Sequence, residues 1–404
     1  MGISSGMARA VGLDCGETQM QLLRLDECSR RDRLRFVKAQ WQFYRHDRNW
    51  VPPLIFDRMK LLDVQRNPFY EHSKLALFLA EERGQPVGRI AAIVNDNHNR
   101  THNDRVGFFG FYESVDSSEV SAALLDAAAE WLSVAHGMMH IRGPVNPSMN
   151  DECGLLVEGF DRPPVVLMPY NPPYYGTLLE QWGLQKVMDL YAYLLDEQNY
   201  RSEKLERMIG VVRQRTKVQI RAMNFRDRQQ FRRDVATIKE LYNSAWEKNW
   251  GFVKMTDAEF DYLAADLKQI ADPNLVLIAE VGGRAVGFGL ALPDINECLI
   301  HNRSGRLLPG LWHLLTKQRR ITLVRIIVLG ILEEYRRTGI DAVLYWEIGE
   351  RAKARGVHWG EASWILETND PMNRALEHTM RGVRYKTYRL YERAISAGGK
   401  RPAG

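Results

Sequence analysis

The sequence predicts an α/β chain of two similar halves, each a mixed α+β sheet with helices on its faces. Three observations carry this. Residues 80–88 (AEERGQPVG) and 279–287 (AEVGGRAVG) share the pattern A-E-x-x-G-x-x-V-G. Asn171-x-Pro173-x4-Leu178 returns as Asn369-x-Pro371-x4-Leu376. These matches lie 199 and 198 residues apart, and a shared offset over two separate patterns marks an internal repeat. Strand-type and helix-type periodicities also alternate in one order on both sides of the midpoint, as in an α/β sheet.

Each element has a local reason. A strand near Met20–Leu25 leads into a helix over Arg30–His46. Alternating strands Leu75–Glu81 and Val87–Val94, and later Leu275–Val281 and Ala285–Leu292, flank glycine-bearing turns and read as hairpins. The second half opens on a strand near Val218–Phe225, with helices at Arg232–Lys248 and Asp257–Ile270. Strand Gly107–Val115 passes directly into Ser117-Ser118-Glu119 and a helix. Its counterpart Leu323–Ile331, apolar and β-branched, meets a polar turn before a helix over Ile340–Ala354. The N-x-P turns open late helices, as proline near a helix start should. Each half closes on a glycine and a tyrosine-rich strand: Gly183 before Leu190–Leu195, and Gly382 before Tyr385–Tyr391.

Segment Gly143–Tyr175 is too long for a simple connector, and long loops on a rigid scaffold often carry binding. The expected division is a first domain over 17–197, with a pocket-forming insertion at 143–175, and a basic linker helix over 198–216. A second domain follows over 217–394, with disordered ends at 1–16 and 395–404.

Composition narrows the function. The 404 residues are 45% hydrophobic and 26% charged, which excludes collagen, coiled coil and wholesale disorder. A net charge of +5 permits an anionic partner without demanding one. Stretch 201–233 holds 11 Lys/Arg against 3 Asp/Glu, but aromatic interleaving is nearly absent. A solvated linker and first strand therefore explain it better than a nucleic-acid patch. Cys15, Cys28, Cys153 and Cys298 show no C-x-x-C spacing, and scattered thiols suit a reducing compartment. The apolar run Ile321–Leu332 is interrupted by Arg325 and too short to span a bilayer, and Met1–Glu17 is small and polar, without the apolar run expected of a signal peptide. A cytoplasmic protein is expected. The i, i+4 pairs His98/His102 and His136/His140 lie in a polar loop and outside any H-E-x-x-H pattern, so no metal is expected.

The chemistry concentrates in Leu323–Ala342. Arg336-x-x-Gly339 stands just before a helix, whose N-terminus offers unpaired N–H groups and a positive dipole end to a pyrophosphate. Walker A and Rossmann patterns are absent. Strand, turn and helix resemble motif A, [RQ]-x-x-G-x-[GA], of the GNAT superfamily of acyl-CoA-dependent N-acyltransferases, with Asp341 where Gly or Ala is usual. The resemblance implies acyl-CoA (coenzyme A) as co-substrate, held by strand residues Val328, Leu329, Gly330 and Ile331. Turn and helix residues Arg336, Arg337, Thr338, Gly339, Ile340 and Asp341 would complete that site. Asn373-Arg374-Ala375 is similar to the family's N-x-A helix start, which implies contact of Asn373 with the CoA arm. An ordinary capping role is an equal alternative. Many members carry a tyrosine acid on this helix. Here His378, Thr379 and Met380 stand at that place, leaving His378 as a substitute candidate. The first half has no R-x-x-G turn and is expected to keep the fold without a cofactor loop.

The paired halves, the insertion and the strands DLYAY and YKTYRLYE resemble a narrower group over roughly residues 20–394. This is the tandem-GNAT proteins of the bacterial ceramide synthase group. The resemblance implies transfer of a long-chain fatty acyl group to the amine of a sphingoid-base-like lipid, in sphingolipid biosynthesis. The amine would attack directly, with no essential cysteine. A carboxylate would take the ammonium proton, in the order Glu152, Glu367, then Glu297 and Asp294. A backbone N–H near Val328–Ile331 would meet the carbonyl oxygen. Asn146, Asn150, Tyr170, Asn171 and Tyr174 would shape the amine pocket, the tyrosines also fitting as buried aromatics with bonded hydroxyls.

Arg306–Arg320 places Leu307, Leu308, Leu311, Trp312, Leu314 and Leu315 on one helical face, with Lys317, Arg319 and Arg320 after them. It is either an interfacial helix docking on anionic membrane at the inner face, with Trp312 at a lipid entrance, or a core-facing helix over the cleft. Two other functions remain open: an N-acyltransferase for a polar aminoacyl or peptide amine, and a non-catalytic CoA- or lipid-binding protein.

Overall fold

The computed structural model describes residues 20–200, 203–247 and 249–396. The disorder expected at 1–16, and at 395–404 beyond residue 396, falls outside these residues. In the first half β1 (Gln21–Leu25), β2 (Ser73–Glu82), β3 (Gln85–Asn95) and β4 (Val106–Ser114) form an antiparallel meander, and β5 (His140–Gly143) runs parallel to β4. The insertion, read above as a loop, contains β6 (Val145–Asn146) and β7 (Glu152–Cys153), which form a hairpin, and β8 (Leu155–Glu158). Strand β9 (Gln185–Asp196) follows.

The second half repeats the plan. Strands β10 (Gln219–Ala222), β11 (Val276–Val281), β12 (Arg284–Pro293) and β13 (Leu323–Ile331) are antiparallel, β14 (Trp359–Leu366) is parallel to β13, and β15 (Val383–Ala394) closes it. The repeat extends to backbone irregularities. Register shifts fall between Ala80 and Glu81 and between Ala279 and Glu280, the same two positions of the repeated pattern.

The closing strands are exchanged. β15 pairs with β5 of the first half, β9 pairs with β14 of the second, and β9 and β15 pair with each other. One sheet therefore runs β1-β2-β3-β4-β5-β15-β9-β14-β13-β12-β11-β10. The cores cross with it. Tyr388 and Leu390 of β15 are buried beside Phe36, Leu77 and Ile93, whereas Tyr193 and Leu195 of β9 are buried beside Leu277, Val343 and Leu344.

The helices α1 (Arg30–Phe43), α2 (Ile55–Leu61), α3 (Asp96–His102), α4 (Ser118–Glu130) and α5 (Tyr175–Gln181) belong to the first half. α6 (Glu197–Tyr200) and α7 (Glu203–Thr216) form the link. α8 (Arg228–Trp246), α9 (Asp257–Leu267), α10 (Asn296–Leu299), α11 (Leu307–Lys317), α12 (Ile340–Lys353) and α13 (Asp370–Arg374) belong to the second half. Helix α3 occupies the stretch read as a polar loop: the Asn95 side chain accepts from His98 N and starts the turn. His98 is buried, its ring centroid 4.4 Å from that of His102. The link is not simply solvated, because Leu205, Ile209 and Val212 of α7 are buried in the second core.

Candidate active site

The site begins where two parallel strands part. β13 pairs with β14 only from Leu323/Trp359 to Ile326/Ala362. The β12 register shifts there, Leu290 facing Val328 but Ala291 facing Ile326, so Ile327 bulges and re-aims the strand. Beyond it, Ile327–Ile331 have no β14 partner along that edge. A cavity of about 1100 Å³ opens into this fork. Its wall includes Val328, Leu329, Gly330, Ile331, Arg336, Arg337 and Asp341 from the second half, and Asn146, Asn150, Glu152, Tyr170 and Asn171 from the first.

At one end the chain turns sharply into α12. Arg337 (φ 64°) and Gly339 (φ 90°) are left-handed, and among the described residues no side chain caps the helix at Gly339. Its first-turn N–H groups are thus left for other acceptors. The turn is braced from outside. A Cβ on Gly339 would lie 2.7 Å from Val212 Cγ2 of α7, and Arg215 donates to the Thr338 carbonyl at 2.7 Å. Arg336 donates to the Ala245 carbonyl at 2.9 Å. Thr338 donates from Oγ1 to Tyr335 O at 2.6 Å, and Ile340 is buried in the core, so Thr338, Gly339 and Ile340 stand behind the cavity wall.

On the wall from the first half both Glu152 oxygens accept from Arg58 Nη2, at 2.6 and 2.8 Å. Asn150 joins the halves: its Oδ1 accepts from Tyr242 OH of α8 and its Nδ2 donates to Val253 O, each at 3.2 Å. Tyr170 donates to Asp47 at 2.9 Å. Asn171 accepts from Leu156 N at 2.7 Å and clamps the insertion.

The other expected site residues do not reach the wall. Glu367 accepts from Lys186 Nζ at 2.7 Å and Asp189 N at 3.0 Å. Asn373 donates to Leu366 O at 3.1 Å and accepts from Tyr193 OH at 3.0 Å, bracing the end of β14. Tyr174 donates to Ser114 O at 2.8 Å. His378 is exposed on the turn after α13, and Trp312 is 66% exposed on α11. Glu297 accepts from Thr322 N at 2.9 Å. Asp294 accepts from Val166 N at 2.8 Å, and burial pushes its carboxyl up to about 7.

Three wall residues escaped the sequence reading. Asp151 accepts from Ser148 Oγ at 2.6 Å, and burial, reinforced by Glu152 and Glu259, pushes its carboxyl up to about 7. Only its place beside Glu152 could have signalled it. Arg325, seen as a break in an apolar run, is buried and donates to Ser363 Oγ and Val166 O, both at 2.9 Å, tying β13 to the insertion. Tyr345 of α12 was not singled out, yet its buried ring borders the cavity and its hydroxyl lies 3.6 Å from Met372 Sδ.

The first half has the same fork, filled. β4 and β5 pair only from Val106/His140 to Phe108/Arg142. β6 then closes in so tightly that a Cβ on Gly110 would lie 1.6 Å from Val145 O. Asn146 Oδ1 accepts from Phe111 N at 2.6 Å. Buried Glu113 accepts from Tyr44, Gln40 and Tyr175 at 2.7–2.8 Å and from Arg89 at 3.3 Å. Helix α4 is capped by Ser117, which accepts from Val120 N at 3.3 Å.

Among the described residues no group of three or more His, Cys, Asp and Glu could hold a metal, and no helix is long and apolar enough to cross a membrane. No family model matches the sequence. The chain is 36% identical over 375 residues to "Bacterial ceramide synthase" of Caulobacter vibrioides, covering 89% of this chain and 94% of that one. It is 35% identical over 368 residues to "Protein YghO" of Escherichia coli, covering 89% and 92%. Among solved structures, a tandem GNAT protein from the clavulanic acid biosynthesis pathway shares the fold at a TM-score of 0.54 and 11% identity, over 94% of this chain and 99% of that one. The chain therefore belongs to the bacterial ceramide synthase family, has the fold of a tandem GNAT protein, and is an acyltransferase.

Proposed function

We propose that the protein transfers a fatty acyl group from long-chain acyl-CoA to the amine of a sphingoid-base-like lipid. One observation carries this reading: a single cavity joins the open β13 edge to a carboxylate-bearing pocket made by the insertion. The CoA arm fits along Val328–Ile331, with its pyrophosphate toward the uncapped N-terminus of α12 and Arg336 and Arg337. The thioester carbonyl then meets a β13 N–H, and the amine approaches from the insertion. Holding both reactants in line supplies up to roughly 7–11 kcal/mol of the barrier. Direct attack suits the described cysteines. Cys153 and Cys298 are buried with thiols pushed up by burial, and Cys28 is not part of the cavity wall.

A lipid acceptor is favoured over a polar amine by the rim. Phe56, Leu54 and Leu299 border the cavity, and Phe56 is 57% exposed. Helix α11 is seated on that rim through Gly310, whose Cβ would lie 2.7 Å from Leu54. Its outward face exposes Leu308, Leu311, Trp312 and Leu315, followed by Lys317, Arg319 and Arg320. An exposed apolar face beside cations suits peripheral contact with an anionic membrane, here on its cytoplasmic side. The test is thiol release from long-chain acyl-CoA, expected to depend on added sphingoid base. Turnover with acetyl-CoA and polar amines alone would reject the lipid acceptor.

A further inference from the structure

We infer that Asp151 is the general base that takes the proton of the acceptor ammonium. This rests on the N-acyl-transfer reading above and goes further by naming the acceptor group.

The insertion delivers two neighbouring carboxylates to the cavity wall, and their surroundings divide their roles. Glu152 is held through both oxygens by Arg58. That charge-assisted contact occupies both of its oxygens. Asp151 makes no ion pair among the described residues; its Oδ2 accepts only the Ser148 hydroxyl. The charged groups around it are Glu152, Glu259 (3.2 Å from His72 Nε2) and Arg58, with the hydroxyls of Tyr70 and Tyr242 also in its field. The Tyr70 hydroxyl is buried without a hydrogen-bond partner among the described residues. Burial, with two carboxylates added, outweighs one hydroxyl and one arginine, which raises the Asp151 carboxyl to about 7. A base matched to a neutral medium is the efficient one, since it is both deprotonated and able to hold a proton.

The step balances. One proton passes from the ammonium to the Asp151 carboxylate. The freed nitrogen lone pair forms the C–N bond at the thioester carbon, and the C–S bond breaks as the adduct collapses. The second nitrogen proton goes to the departing thiolate, and Asp151 returns its proton to solvent. The products are the amide, the free thiol and one released proton.

Asp151→Asn in the full chain tests this, with kcat/KM read across about pH 5 to 9 for a sphingoid base and for a polar primary amine. The expected result is a fall of about 10²-fold or more in kcat, an unchanged acyl-CoA Kd, and loss of the wild-type inflection near pH 7. Asp151→Glu should restore part of the rate, and Glu152→Gln should keep the inflection. Asp151→Asn retaining its rate or its inflection overturns the inference, as does loss of acyl-CoA binding in that variant or loss of the inflection in Glu152→Gln instead. Wild-type turnover confined to the polar amine would sink the lipid acceptor alone, because the base is still read on that amine.

Discussion

In each half a strand pairs in parallel with its neighbour over a few residues and then leaves it, β4 from β5 after Phe108 and β13 from β14 after Ile326. The pairings of Ser114 with Gly88 and of Ile331 with Gly287 align the two forks. Phe111 then answers to Val328, Glu113 to Gly330, and the capping Ser117 to Gly339. On the proposed reading, three local changes close the first fork to a cofactor. An asparagine takes the N–H that a thioester oxygen would need, a buried carboxylate stands where the second half has glycine, and a serine occupies the helix end that a phosphate would use. On the proposed reading, duplicated architecture does not bring a duplicated site: the first half uses the corresponding polar atoms to hold the pocket wall in place.

The comparison breaks hardest at Gly330. Gly330→Glu installs the first half's residue, and its Cβ would start 2.3 Å from Trp246. It should remove acyl-CoA binding and lower kcat/KM by at least about 10²-fold, with thermal unfolding as the check on folding. Retained binding would mean that this strand does not hold CoA. Glu113→Gln comes next. It leaves Arg89 charged and buried, so it should destabilise the fold by about 3–5 kcal/mol by denaturant titration while the folded fraction keeps its acyl-CoA affinity. Asn146→Ala strands the Phe111 N–H at a cost of about 1–3 kcal/mol. Calorimetry should still count one acyl-CoA per chain, because Val145 continues to fill the fork; a count of two would make Asn146 the whole plug. Ser117→Ala should cost about 1 kcal/mol of stability and leave kinetics unchanged.

Much of the architecture was legible because its signals are local. Period-2 alternation around the glycine turns gave both hairpins, and the β-branched run Leu323–Ile331 matched its strand residue for residue. The strand exchange was not legible: the pattern of Leu190–Leu195 and Tyr385–Tyr391 makes them strands but does not name their neighbours. The site divides in the same way. Arg336 and Arg337 were visible in one short turn. The state of Asp151 depends on α2, α9 and the residues before β2, far away in sequence. Glu367 looked free at a strand end until Lys186 and Asp189 met it across the sheet.

The exchange has a consequence for how the molecule is made. Gly143 of β5 waits for Tyr391 of β15, so the first half leaves the ribosome with an unpaired sheet edge while nearly all of the second half is still being synthesised. Open edges invite wrong partners, and such distant pairings form slowly. In this fold neither half completes its sheet from its own chain. A polypeptide cut in the link would still be one interlocked body, each fragment lending the other its closing strand.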